Sequence, residues 1–285
     1  MERMPGSVEA HGRTAQIYNY GPDHILKMFR EGIPRSAAEQ EHIATRFALS
    51  AGLPVPRTVS LTEWQDLPAI VYERVPGAPM LRLLQKQPWR AREFGSRLAK
   101  LHISVHQTDA GAGTGSGLPS LFDLLERQIH TAPLLSDDEK KGAIACLERL
   151  PTGHKLCHGD FHPDNVMLSG DRHWVIDWMT AVSGHPAADA ARTVLLLRTA
   201  YLPDDLSLIA SLLISSVRSI LLRQYMRVYL HLSGLDAREL EQWMLPLAAA
   251  RLNEFLPSEE KLILKKLVQD GLARTKNSTT TTIAQ

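Results

Sequence analysis

The segment that most restricts the fold of this chain is 158–165, HGDFHPDN, together with the hairpin pattern that follows it. Asn165 leads into an apolar run, Ser-Gly-Asp at 169–171 has turn composition, and the run 172–178 is rich in β-branched and aromatic residues. Two short strands joined by such a turn form a hairpin, which brings its two outer ends together. The pattern therefore predicts that Asn165 and Asp177 lie side by side.

The first third of the chain combines strand patterns with one helix. The runs 15–20 and 24–29 are joined by a Gly-Pro-Asp turn and predict an antiparallel hairpin. Ser36 and Glu39 match a capping box, and small and apolar residues then recur at helical spacing until Gly52. This region therefore predicts a small antiparallel sheet with one helix.

A break at Pro76 and Gly77 separates this region from the remainder. It follows the strand-like run 69–73, and helical patterns dominate from Met80 onward. We therefore predict an α+β fold in two lobes, 1–75 and 76–276. The tail 277–285 is polar and low in complexity, which predicts disorder.

Composition limits the classes of partner. The chain has 44% hydrophobic residues, enough for a large core, and 32 basic residues against 31 acidic ones. This balance gives no reason to expect nucleic acid, a membrane or a protein as partner. Cys146 and Cys157 are too few for a disulfide framework, and the charged N-terminus lacks a secretory signal pattern. A cytoplasmic protein is expected.

The polar residues of the central segment match the needs of phosphoryl transfer. This chemistry requires a group that orients the acceptor hydroxyl, and oxygen ligands for Mg²⁺. Asp160 is the predicted catalytic base, and Asn165 and Asp177 are the predicted metal ligands. His158 is expected to pack beneath the loop and to bond its backbone.

Lys27 stands inside an apolar strand pattern, where a cation needs a partner. A place on the solvent face of an edge strand would also satisfy it. Glu39 and Glu41 both flank the apolar face of the following helix, so either carboxylate is a candidate partner.

These motifs resemble the aminoglycoside phosphotransferase and choline kinase group over roughly residues 8–255. The resemblance implies a bilobal protein-kinase-like fold, with a small antiparallel sheet in the first lobe and a mainly helical second lobe. It implies that the segment from His158 to Asn165 is the catalytic loop and that Asp177 binds metal. It also places Asp189 at a helix start, where capping is a sufficient role.

The resemblance further implies the nucleotide site. Lys27 would pair with Glu41, and backbone groups from Glu73 to Val75 would bond the purine. The phosphate-covering loop would lie near Gly12 and Thr14. That segment holds a single glycine, so an ordinary turn before a strand is the alternative.

The implied activity is transfer of the γ-phosphoryl group of ATP, or of GTP, to a hydroxyl of a small acceptor, with Mg²⁺ as cofactor. An aminoglycoside or other antibiotic, an amino alcohol and a sugar are the candidate acceptors. Two alternatives remain: a nucleotide-binding pseudokinase without turnover, and a metal-dependent hydrolase that uses His158, Asp160 and His162.

Other residues invite smaller claims. His102 and His106 lie one helical turn apart and are interpreted as packed or hydrogen-bonded core histidines. Trp243 belongs to the core or to a wall of the acceptor site. A pocket for a polycation would need carboxylates. Arginines balance the carboxylates of the second lobe, of which there are five candidates: Asp204, Asp205, Glu239, Glu241 and Glu254.

Overall fold

A computed structural model describes residues 5–111, 116–200 and 207–283 of the chain, with side chains up to 275. The first lobe contains five strands and one helix, which are β1 (Val8–His11), β2 (Ala15–Asn19), β3 (His24–Phe29), α1 (Arg35–Ser50), β4 (Thr58–Trp64) and β5 (Leu67–Glu73). The strands form one antiparallel sheet in the order β1-β2-β3-β5-β4. This arrangement confirms the predicted hairpin and small sheet.

The register of the sheet places Lys27 in its middle. Lys27 lies on β3 opposite Ile17 of β2 on one side and Ile70 of β5 on the other. Because β3 is the central strand, both of its edges are paired, which excludes the edge-strand position considered for Lys27.

Helix α1 begins differently from the prediction. Pro34 is the N-cap, with φ −68° and ψ 149°, and no side chain caps the helix. A cap residue must lie just outside the first turn with extended backbone, and Pro34 takes that position. Ser36 therefore lies within the first turn, and Glu39 pairs with Arg35 at 3.0 Å instead of closing a capping box.

The second lobe is mainly helical. Its strands are β6 (Ala78–Pro79), β7 (Lys155–Cys157), β8 (Val166–Ser169), β9 (Arg172–Val175) and β10 (Val182–Gly184). Its α-helices are α2 (Met80–Lys86), α3 (Ala91–Gln107), α4 (Leu121–His130), α5 (Asp137–Leu147), α6 (Pro186–Thr199), α7 (Leu208–Ser233), α8 (Ala237–Arg251) and α9 (Ser258–Ile283). One large apolar core joins helices α3 to α9 and includes the fully buried Trp178.

The predicted second hairpin is present. Strands β8 and β9 pair antiparallel, with Val166 opposite Val175. Just beyond them, the Ile176 N–H donates to the Asn165 carbonyl at 3.0 Å. The hairpin therefore places Asn165 next to the residue before Asp177, as the sequence predicts.

Gly77 lies in the connection between β5 and β6. This glycine has φ +105°, and a Cβ there would lie 2.0 Å from the carbonyl oxygen of Leu168. Only glycine fits so close to a backbone with this conformation, which explains the glycine at this position.

Two further sequence predictions concern the C-terminal tail and the glycine-rich tract. Helix α9 continues to Ile283, where the sequence predicts a disordered tail over 277–285. Each added residue completes one more helical hydrogen bond, so a polar end can extend a helix that packs elsewhere. The tract 111–117 is rich in glycine, which predicts a flexible connector, and its residues 112–115 lie outside the described part. Within the described residues, no helix combines the length and apolar character needed to cross a membrane.

Candidate active site

Lys27 is a buried cation between the two lobes. Its Nζ donates to both carboxylate oxygens of Glu41 at 2.7 Å and to Asp177 Oδ1 at 2.8 Å. Burial by itself lowers the pKa of Lys27, but the charges of Asp177 and Glu41 outweigh it and raise the pKa above its ordinary value. One carboxylate from each lobe thus fixes the amine at the junction.

The structure decides between the two candidate partners of Lys27. Glu41 is 1% exposed and faces the sheet, whereas Glu39 lies on the surface with Arg35. Tyr72, on the neighbouring strand β5, donates its hydroxyl to Glu41 Oε1 at 2.8 Å. The sequence pattern does not single out Tyr72, although a tyrosine in a buried strand usually signals a partner for its hydroxyl.

We expect Tyr72→Phe to lower the free energy of unfolding by about 1 kcal/mol, because Glu41 loses a buried donor. Nucleotide affinity should fall about threefold as the Lys27–Glu41 pair loosens. Urea denaturation and nucleotide titration measure the two effects. The matched control is Tyr18→Phe, whose hydroxyl donates to Gln16 instead. Equal losses of nucleotide affinity in both variants would contradict the role given to Tyr72.

Asp160 projects from the loop between β7 and β8. Its Oδ2 accepts from His162 Nε2 at 3.2 Å and from Asn165 Nδ2 at 3.3 Å. Burial opposes ionisation, but the hydrogen bond and charge of His162, with Arg192 and His158 nearby, hold the pKa of Asp160 well below its usual range. The carboxylate is therefore ionised at neutral pH, with one oxygen fixed by the loop.

His158 holds the loop from below. Its ring is fully buried, Nδ1 accepts from the Asp160 N–H at 3.3 Å, and Nε2 lies 3.0 Å from the Ile176 carbonyl. Because Nδ1 accepts, Nε2 carries the proton and donates to Ile176. Burial lowers the pKa of His158, which keeps the ring neutral. His158 thus joins the Asp160 loop to the strand end before Asp177, and it acts by positioning.

The loop backbone is also fixed from α6. Asp189 accepts from the N–H of His158 at 2.6 Å and of Gly159 at 2.9 Å. The helix itself is capped by His185, whose side chain accepts from the Ala187 N–H. The capping role predicted for Asp189 is therefore wrong: its carboxylate accepts from backbone amides of the loop, which only the folded chain brings near.

Four aromatic side chains complete this network. His102 and His106 lie 3.1 and 3.2 Å from Asp189 Oδ2 through Nε2, and their Nδ1 atoms lie 2.7 Å from the hydroxyls of Tyr225 and Tyr229, respectively. Burial, assisted by His106, lowers the pKa of His102 to about 3, so this ring is neutral. The predicted role of both histidines as hydrogen-bonded core residues is confirmed.

We expect Asp189→Asn to lower the free energy of unfolding by about 3 kcal/mol, because an amide N–H₂ would face several buried donors. Chemical denaturation measures the loss. Asp123→Asn is the control, since Asp123 is an exposed aspartate in the first turn of α4. An acidic residue that only complements a helix N-terminus contributes about 0.3–1 kcal/mol. A loss at Asp189 as small as that of the control would restore the capping interpretation.

The metal-ligand candidates offer free oxygens. Asn165 uses Nδ2 to donate to Asp160, and its Oδ1 accepts no hydrogen bond from the described residues. Asp177 gives Oδ1 to Lys27, and Oδ2 likewise has no partner there; its side chain is 34% exposed. Mg²⁺ prefers such hard oxygen ligands. These two side chains therefore fit a Mg²⁺ ion bound together with nucleotide phosphates.

The expected phosphate-covering loop is the turn between β1 and β2. The Gly12 N–H already donates to the Ala15 carbonyl at 2.8 Å, so this amide closes the turn. The Thr14 N–H makes no hydrogen bond within the described residues, whereas its carbonyl accepts from Arg30 at 2.9 Å. Of the two predicted residues, only Thr14 has an amide free for a phosphate.

The expected purine-binding segment follows β5. The N–H of Glu73 donates to Arg57 and that of Arg74 to Asp23, at 2.9 and 2.8 Å. The N–H of Val75 has no partner in the part of the chain that the structure describes. Val75 therefore offers the donor that the resemblance expects for the purine, and Glu73 lies beside it.

The arrangement does not support the hydrolase alternative. His158 turns both ring nitrogens to the backbone, away from a shared site with His162. Among the described residues, the group with metal-ligand spacing is His102, His106 and Asp189, whose ligand atoms lie within 4.8 Å of one another. Each of those atoms already takes part in the hydrogen-bond network around Asp189, so the group is satisfied without an ion.

The chain is similar to known phosphotransferases in sequence profile and in fold. The sequence profile of the phosphotransferase enzyme family (APH) matches residues 10–213. A search of curated proteins finds no significant match.

Among solved structures, one similar fold is a thermostable mutant of aminoglycoside phosphotransferase APH(4)-Ia in a ternary complex with ADP and hygromycin B. Its TM-score is 0.63 at 16% identity, and the alignment covers 95% of this chain and 92% of the APH(4)-Ia chain. Amicoumacin kinase hAmiN in complex with AMP-PNP, Ca²⁺ and Ami has a TM-score of 0.59 at 14% identity, covering 94% and 88%. A choline/ethanolamine kinase family protein from Mesorhizobium loti has a TM-score of 0.55 at 18% identity, covering 95% and 87%. The fold is therefore that of the protein-kinase-like phosphotransferases, and the chain belongs to the phosphotransferase enzyme family.

Proposed function

We propose that the chain transfers the γ-phosphoryl group of ATP, or of GTP, to a hydroxyl of a small acceptor in a Mg²⁺-dependent reaction. The observation that carries the proposal is the meeting of Asp160, Asn165 and Asp177 with the Lys27–Glu41 pair where the lobes join. Phosphoryl transfer depends mainly on positioning and charge neutralisation, which such a set supplies.

Asp160 is the proposed base. Its Oδ2 is held by His162 and Asn165, which leaves Oδ1 to accept the proton of the acceptor hydroxyl. An ionised carboxylate in this place orients the hydroxyl oxygen toward the γ-phosphorus and takes up its proton as the new P–O bond forms. The bond from the γ-phosphorus to the bridging oxygen breaks in the same step, and the nucleoside diphosphate leaves. His158 contributes by keeping the loop backbone in register with the strand end at Ile176.

Lys27 and the two oxygen ligands serve the donor. The Lys27 amine, fixed by Glu41, would contact the α- and β-phosphates, and Thr14 and Val75 would donate backbone hydrogen bonds to the phosphates and the purine, respectively. Asn165 Oδ1 and Asp177 Oδ2 would hold Mg²⁺. When bound, this ion neutralises charge on the phosphates.

The acceptor side bears on the choice of substrate. Glu254 pairs with Arg192 at 2.8 Å, Glu241 with Arg198 at 3.5 Å, and Glu239 accepts from the Asp236 N–H at the start of α8. Asp204 and Asp205 lie outside the described residues. The described carboxylates are thus already engaged, so they give no support for a polycationic aminoglycoside over an amino alcohol, a sugar or another antibiotic. The expected location is the cytoplasm, where Cys146 and Cys157 stay reduced.

A substrate screen tests the proposal. The purified protein is assayed for Mg²⁺-dependent consumption of ATP and of GTP with aminoglycosides, macrolides, amino alcohols and sugars. We expect one class to raise consumption above the rate without acceptor. Tight nucleotide binding without turnover for any class would instead favour the pseudokinase, and zinc in the purified protein would favour the hydrolase.

A further inference from the structure

Arg192 lies beside the proposed base, Asp160. It is on α6, three residues after Asp189, and its Nη2 lies 3.6 Å from Asp160 Oδ1. Its Nη1 donates to Glu254 Oε1 at 2.8 Å. The side chain is 14% exposed, and its buried Nε has no partner among the described residues. Leaving such a donor unpaired costs stability, so packing alone does not explain an arginine here.

Arg192 belongs to a series of alternating charges. Glu254 accepts from Arg192 and, through Oε2, from Arg251 Nε at 3.2 Å. Arg251 is 1% exposed and donates to Glu260 at 2.9 Å, at the start of α9. The series therefore runs from Asp160 through α6 and the end of α8 to α9. Because Arg251 and Glu260 are buried, the far end of the series is fixed.

The two distances at Arg192 differ in kind. The contact with Glu254 at 2.8 Å is a charge-assisted hydrogen bond, whereas 3.6 Å to Asp160 exceeds hydrogen-bond range. Arginine readily forms a bidentate pair with a free carboxylate, and such a pair would occupy Oδ1 of Asp160. Glu254 therefore holds the guanidinium near the base but short of direct pairing.

We propose that Arg192, restrained by Glu254, is a positioning residue that fixes the Asp160 carboxylate while leaving Oδ1 free for the acceptor hydroxyl. This inference rests on the role of Asp160 in the proposed function. The charge of Arg192 attracts the Asp160 carboxylate across 3.6 Å, without a hydrogen bond. Glu254 is needed because an unrestrained guanidinium would compete with the acceptor hydroxyl for Oδ1 of Asp160.

The test uses Arg192→Gln, Arg192→Lys, Glu254→Gln and the double variant Arg192→Gln/Glu254→Gln. Turnover is measured as conversion of Mg²⁺-ATP to ADP with water as acceptor, so that no acceptor has to be identified. Arg192→Gln and Glu254→Gln should each lower kcat about 10- to 100-fold, with the KM for ATP within about twofold. Arg192→Lys should recover part of the loss, because it keeps the charge.

The double variant separates positioning from simple loss of structure. Once Arg192 is gone, Glu254 has no guanidinium to hold beside Asp160, so the double variant should be no slower than Arg192→Gln. Losses that multiply in the double variant would overturn the inference, as would an Arg192→Gln protein with the kcat of the wild type.

The control is Arg198→Gln, on the same helix, whose side chain is 48% exposed and pairs with Glu241 at 3.5 Å. Its kcat should equal that of the wild type, and an equal loss there would also overturn the inference. Asp160→Ala distinguishes the two levels of proposal. If Asp160→Ala keeps full turnover, the proposed function fails; if it loses turnover while Arg192→Gln does not, only the inference on Arg192 fails.

Discussion

Asp160→Ala is expected to lower kcat about 10²- to 10⁴-fold, the contribution typical of a positioned general base. Nucleotide affinity should stay within about threefold of wild type, because the role proposed for Asp160 concerns the acceptor hydroxyl, and Lys27, Asn165 and Asp177 remain. Steady-state kinetics with the acceptor class found by screening and calorimetric titration with Mg²⁺-ATP measure the two quantities.

Asp164→Ala is the matched control for this experiment. Asp164 lies four residues further along the same loop, is exposed, and its carboxylate makes no hydrogen bond to the described residues. Its kcat should stay within about twofold of wild type. A folded Asp160→Ala protein that keeps turnover, or that loses nucleotide binding, would contradict the role of base.

Asp177→Asn is expected to weaken binding of Mg²⁺-ATP at least about tenfold and to lower kcat about 100-fold or more, because a charged metal ligand is lost. Asparagine is chosen because Asp177 has φ +66°, a conformation that asparagine adopts more readily than alanine. The backbone should therefore keep its shape. Calorimetric titrations with ATP are compared in excess Mg²⁺ and in EDTA, and the loss should appear only with the metal.

The control for Asp177 is Asp171→Asn, in the turn between β8 and β9 of the same hairpin. Its side chain is exposed and makes no hydrogen bond within the described residues, so Mg²⁺-ATP binding should be unchanged. Equal weakening of ATP binding with and without Mg²⁺ would show that Asp177 acts through Lys27 rather than through a metal.

Local patterns predicted the elements that carry the candidate site. The hairpin of β2 and β3 and that of β8 and β9 follow from turn residues between strand-forming runs, which depend on neighbours in sequence. The second hairpin also predicted correctly that Asn165 lies close to the segment of Asp177. The capping-box pattern at Ser36 predicts the wrong start for α1, because Pro34 occupies the N-cap.

The role of Asp189 could not be predicted from local sequence patterns. In sequence it follows Gly-His-Pro and lies in a first helical turn, which fits a cap. Its actual partners, the amides of His158 and Gly159, lie about thirty residues earlier, and His102 lies on a third element. A carboxylate chooses partners by distance in space, which sequence spacing does not report.

The sequence by itself determined the two-lobed plan, the loop with Asp160 and Asn165, and the hairpin that leads to Asp177, because turns, strand runs and helix spacing are encoded by near neighbours. Only the tertiary structure decided between Glu39 and Glu41, brought Tyr72 and Asp189 into the site, and placed Arg192 between Asp160 and Glu254. The physical reason is that buried charges need partners on neighbouring packed elements, and the packing of the whole core determines which elements are neighbours.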